Sequence, residues 1–192
     1  SKHLYNSSTY KHNSGGNPEN IIDLTHDYLV EFHKKHYHPS NATFFTFGNV
    51  NPVEIQDFIN ENVLKSFQPS SETISVKNEN RITEPKTITE FYNPMPEDEN
   101  NHHVVLSWLL GESHDPVELL ESYLVSNILL DNSASPLRKT LENTDLGKSL
   151  SPLTGLEADH KELVFAAGLE GVDSNKQIDV EELILNCLKN TV

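Results

Sequence analysis

Sulfur is nearly missing from this sequence: one cysteine, Cys187, and one methionine stand among 192 residues. A single thiol excludes an internal disulfide framework and a multi-cysteine zinc knuckle. Cys187 falls at helical spacing among Leu183, Ile184 and Leu188, which reads as a buried structural thiol and not as a nucleophile. Long apolar runs are missing too: none approaches the roughly 20 residues that span a bilayer. Ser1-Lys2-His3-Leu4-Tyr5 has no apolar signal region, so no membrane partner is expected. Positive charge is scarce, with 14 Lys and Arg against 29 Asp and Glu, a formal net charge of −15. Nucleic-acid phosphates need Lys and Arg, so no nucleic-acid partner is expected either. Such an acidic surface suits plain solubility or a chamber that attracts cationic peptides.

What is present is a soluble profile, 35% hydrophobic and 22% charged, long enough for one domain or two small ones. Residues 1–19 are polar, and Ser14-Gly15-Gly16-Asn17-Pro18 signals a sharp turn. A helix capped by Thr25 runs to the neighbourhood of Pro39, with Leu29, Phe32, His33 and His36 at three-four spacing. Ala42–Phe47 reads as a strand with aromatics on both faces, as a central strand has. Asn51-Pro52 opens a second helix with Glu54 in its first turn. Gln68 to Asn80 is a polar linker, and a strand is expected near Thr87–Tyr92.

Asn93 to Asn101 then forms an acidic loop, and Val104, Leu106, Trp108 and Leu110 share one face of the clearest strand. Asp115-Pro116-Val117-Glu118 carries a cap, a first-turn proline and a capping-box carboxylate. Leu120, Tyr123, Leu124, Asn127 and Ile128 share a face of the helix that follows. A short helix from Ser135-Pro136 is expected to end at Leu146-Gly147, followed by a strand through Leu163, Phe165, Ala167 and Leu169 and a last helix through Val180 and Ile184. The fold class this implies is α+β, an antiparallel-rich sheet with helices packed on one face. The block before the linker has one strand, and one strand is not a sheet: its open edge invites self-association or a partner from elsewhere.

The histidines invite a metal hypothesis, and their spacing does not support one. His33 and His36 enclose two lysines, whose charge repels a metal ion. Neither H-E-x-x-H nor H-x-x-E-H occurs. His102 and His103 are neighbours on a strand and point to opposite faces. Asp159-His160 with Ser107 or Ser151 has no nucleophile elbow around it. Glu97-Asp98-Glu99 lacks the spacing of a calcium loop, and Gly15-Gly16 is followed by no phosphate-loop lysine. No catalytic, cofactor-binding or metal-binding residue is assigned, and no cofactor is expected on this chain.

One stretch has a family look: Asn13-Ser14-Gly15-Gly16-Asn17-Pro18, Leu24-Thr25, Phe32-His33, Tyr37-His38-Pro39-Ser40-Asn41-Ala42 and Phe47-Gly48-Asn49. A second comprises Leu130-Asp131, Ser135-Pro136-Leu137-Arg138, Leu141-Glu142, Asp145-Leu146-Gly147 and Gly168-Leu169-Glu170-Gly171. In this order they resemble the region that follows the zinc site in insulinase/pitrilysin-type zinc metallopeptidases, presequence-protease-like branch. The resemblance implies an incomplete, metallopeptidase-like domain pair: residues 1–67 as the end of a first, catalytic-type domain, 68–82 as linker, and 83–192 as most of a second, non-catalytic domain.

It further implies a parent with zinc on an upstream H-x-x-E-H helix that degrades unfolded, targeting-peptide-like substrates, while this segment alone hydrolyses nothing. Its partners are then the remainder of the parent polypeptide and the parent's peptide substrates, in a bacterial cytoplasm or an organelle matrix. The alternative is a segment of a catalytically inactive binding or scaffold subunit.

Overall fold

The computed structural model describes residues 2–72, 74–93 and 102–191, so the expected acidic loop lies almost wholly outside the described residues, and Glu97–Glu99 entirely so. The chain divides into two compact units: residues 13–77, and residues 2–12 together with the described residues from Asn78 onward.

The first unit is helical. Asn17 caps α1 (Pro18–Ile21), and the Thr25 hydroxyl caps α2 (His26–His36) by accepting from the Tyr28 amide at 3.2 Å. Asn51 caps α3 (Pro52–Asn62): its side chain accepts from the Val53 amide at 3.1 Å and donates to Glu54 at 3.0 Å. The expected glycine turn is there, with Gly16 at φ +85°, and Asn13 closes it by accepting from the Gly15 amide.

The expected strand Ala42–Phe47 does not form. The segment belongs to no sheet, and Phe45 and Phe47 are 85% and 90% exposed. The sequence supplies a strand-like pattern, but the described residues of this unit supply no second strand to pair with it. No described residue of 13–77 is buried, and this unit has no core of its own.

The second unit is an antiparallel sheet under three helices. β1 (His102–Glu112) pairs with β4 (Glu162–Val172), and β2 (Ser149–Leu150) and β3 (Gly155–Glu157) take the other edge of β4. The register sets Val104 opposite Leu169, Leu106 opposite Ala167 and Trp108 opposite Phe165. That face receives α4 (Pro116–Leu130), α5 (Pro136–Glu142) and α6 (Gln177–Thr191). Leu129, Leu137, Leu141, Val180 and Ile184 close the core over it. Each such leucine, fully buried, contributes about 1.5–3 kcal/mol over leaving it exposed. β4 lies between neighbours on both sides and is buried almost throughout, which explains its run of apolar and small residues.

Three local expectations need correction. Thr87–Tyr92 is not a strand, although Tyr92 meets the His103 ring edge-on at the start of β1. α5 ends at Glu142, not at Gly147. Gly147 is required elsewhere: a Cβ there would sit 2.9 Å from the Glu170 carbonyl oxygen. Glu118 makes no capping box, because its carboxylate accepts the Glu112 amide at 2.6 Å, reaching back to the strand, while Asp115 alone caps α4. Leu120, Tyr123, Leu124, Asn127 and Ile128 do share a face of α4, and that face is exposed.

Candidate functional site

A dense polar construction lies where β4 begins. Glu162 is 1% exposed, and it holds two segments distant in sequence. Its Oε2 accepts the Glu79 amide at 2.7 Å, and the Arg81 guanidinium approaches its Oε1 at 2.9 Å, off the axis of a hydrogen bond. Its backbone carbonyl accepts the Tyr5 hydroxyl at 3.2 Å. Tyr5 is fully buried, with its ring edge-on to His160 and tilted against Tyr10. Tyr10 in turn stacks near His160 at 4.5 Å and accepts the Lys161 amide at 3.0 Å. Burial, aided by the Glu162 charge, raises the Tyr5 hydroxyl to about 12, so it remains a donor.

Glu79 completes the construction. Its carboxylate accepts the Ser7 amide at 3.0 and 2.9 Å, the Ser7 hydroxyl at 2.9 Å and the Ser8 amide at 2.8 Å. Burial is the largest influence and pushes this carboxyl up, but the Ser8 and Ser7 donors together outweigh it and bring it down to about 2. A carboxyl lowered in the fold stabilises it fully above its ordinary value and loses that contribution as pH falls toward the lowered one. Exchange of the Ser7 and Ser8 amides, corrected for intrinsic rates, should therefore rise as pH drops from 4.5 toward 2. In Glu79→Gln it should be fast and flat over the same range. Protection of these amides that is unchanged at the acid end would contradict the assignment.

Beside this clasp lies an open cavity of about 500 Å³ between the end of β1 and the start of α4, lined among others by Arg81, Glu112, His114, Asp115 and Glu118. Its carboxylates are already engaged. Glu112 accepts from the Asn78 amide group and pairs with His114 at 3.0 Å. The Asn78 hydrogen bond leads the influences that lower the Glu112 carboxyl. Asp115 caps α4 and Glu118 takes the Glu112 amide. No carboxylate is left over as a base, and the cleft is a set of structural hydrogen bonds with a negative rim.

The histidines and serines weighed from sequence are dispersed. His33 stacks on Tyr37 at 4.7 Å and His36 on Phe32 at 4.1 Å, while His38 accepts the Ser40 amide at 3.1 Å. His103 faces Glu170 across the sheet, 4.0 Å away. His160 serves the tyrosines, Ser107 lies opposite Ala166 in the β1–β4 ladder, and the buried Ser151 hydroxyl accepts the Leu153 amide. Cys187 lies 3.3 Å from the Thr140 hydroxyl at the core margin. Among the described residues no group of three His, Cys, Asp or Glu side chains converges to hold a metal ion, so these residues do not fit a catalytic zinc. The clasp escaped the sequence reading because Tyr5, Glu79 and Glu162 are 70 or more residues apart, and nothing local marks such partners.

Comparison with known proteins gives this geometry a setting. Residues 23–192 match the model of a protein family described as the Peptidase M16 inactive domain. A mitochondrial presequence protease of Emericella nidulans is 35% identical over 187 residues, covering 94% of this chain and 17% of the relative. The mitochondrial presequence protease of Xenopus tropicalis is 36% identical over 194 residues, 96% of this chain and 19% of the relative. A Borreliella burgdorferi protein named only as uncharacterized is 31% identical over 195 residues, 100% of this chain and 20% of the relative. The chain thus spans a fifth or less of the length of these relatives.

Proposed function

This chain belongs to the peptidase M16, or insulinase, family on its presequence-protease-like side, and from that premise we propose that it is a non-catalytic segment of a longer zinc-dependent metalloendopeptidase that degrades unfolded peptides. The observation that carries the reading is the match of residues 23–192 to the family's inactive domain. In this reading no step of hydrolysis falls to this chain. Zinc, held by residues outside these 192, would polarise the scissile carbonyl and activate water.

In this reading residues 1–67 end a catalytic-type domain, 68–82 link, and 83–192 form most of a second, non-catalytic domain. The segment contributes wall to the substrate chamber. A net charge of −15 gives that wall a negative potential, which draws in basic, amphipathic peptides of the targeting-sequence kind.

The test uses the longer polypeptide. With an unfolded basic peptide it should show hydrolysis that a chelator removes and zinc restores, while the 192-residue chain shows none. A longer polypeptide that binds such peptides without cutting them would establish the scaffold reading instead.

A further inference from the structure

α4 carries its polarity the wrong way round for a surface helix. Leu119, Ser122, Ser126, Leu129 and Leu130 turn toward the sheet, and two of those five are serines. The opposite stripe, Val117, Leu120, Leu124 and Ile128, is apolar and 53–62% exposed, with Tyr123 and Val125 beside it. A helix that ends at the surface normally turns its polar stripe outward, and one that is apolar all round is buried. Spacings of three and four residues place the stripe along one line, about 16 Å long at 1.5 Å per residue. That is the imprint of a single packed helix.

We propose that this stripe seats a helix from the part of the family polypeptide outside these 192 residues, and that the seated helix has an apolar seam flanked by Lys or Arg. The inference rests on the reading of the chain as a segment of a larger peptidase. Relatives of which this chain covers 17–20% leave more than four-fifths of their length to supply the occupant. The charge comes from α4 itself, whose only acidic or basic side chains are Glu118 and Glu121, on a chain of net charge −15. Glu118 is held by the Glu112 amide, so Glu121 is the carboxylate left at the edge of the stripe. A second copy laid on this face would bring glutamate against glutamate, whereas basic flanks answer it. The outward face of α4 is then internal to the assembled protein and lines no chamber.

The test introduces a thiol, Leu124→Cys, and follows its maleimide labelling by peptide mapping in the longer polypeptide and in the 192-residue chain. The thiol should label at least about tenfold more slowly in the native longer polypeptide than in the short chain. Equal labelling in the two overturns the proposal. Protection in the short chain together with a dimer by light scattering gives the seat to a second copy. Protection that appears only on adding a free basic amphipathic peptide gives it to a separate ligand. Both of those outcomes also overturn the proposal. Hydrolysis by the unaltered longer polypeptide is measured in parallel. A protected thiol in a polypeptide that cuts nothing leaves the seat standing and removes the peptidase reading instead.

Discussion

Gly168→Val should lower the stability of the sheet unit by about 3 kcal/mol or more. A Cβ at Gly168 would lie 2.3 Å from the Val104 carbonyl oxygen and 2.9 Å from the Val105 Cα. Both are backbone atoms of β1, directly across the ladder, and neither can rotate away as a side-chain tip does. The other side of β4 offers no retreat. The Gly168 carbonyl accepts the Ser151 amide at 2.9 Å, and its own amide donates to the Thr154 hydroxyl at 3.1 Å. The two longest strands must therefore part. Against a total stability of about 5–15 kcal/mol, the change should show as a large fall in the urea midpoint at nearly unchanged slope. Gly15→Ala is the control, because its new Cβ meets only the movable Asn13 side chain at 3.3 Å. Its effect should stay within about 0.5 kcal/mol. Equal midpoints for the two variants would show that β1 and β4 approach less closely than described.

Glu162→Ala should cost about 2–3 kcal/mol, chiefly by leaving the buried Glu79 amide without an acceptor. Arg81 adds little of this, since it is about half exposed and rehydrates. Glu162→Gln keeps an acceptor oxygen of the same reach and should lose roughly 1 kcal/mol. Hydrogen exchange separates this from general loosening: residues 78–81 and 5–10 should open in Glu162→Ala while α5 and α6 hold their protection. A urea midpoint unmoved by Glu162→Ala would mean that Glu162 is a bystander in the clasp.

Helix starts were readable because a cap is a local event. Thr25, Asn51-Pro52 and Asp115-Pro116 each act on amides two or three residues away, and each caps where the sequence placed it. The β1 and β4 alternation was readable for the same reason: each strand sorts its own side chains into faces, and both sets meet in one core. Strands that need a partner fared worse. Ala42–Phe47 has the composition of a core strand, yet among the described residues no strand pairs with it.

The α4 face was legible as a face and no further. A pattern of Leu120, Leu124 and Ile128 says that a face is to be covered, not which neighbour covers it. The H-x-x-E-H pattern can be searched for in sequence alone because it lies within one helix turn or two. Glu162 was not legible in this way, since a glutamate heading an apolar run reads as a solvated strand end until Glu79 and Arg81 are placed against it.

The clasp also imposes an order of events on synthesis. Tyr5 is translated 157 residues before Glu162. At about 5–20 residues per second, the ribosome needs on the order of ten seconds to deliver the anchor. Until then the Tyr5 hydroxyl lacks its acceptor, although Glu79, the acceptor for Ser7 and Ser8, is already made. The topology thus delays the seating of Tyr5 until β4 has begun to be made.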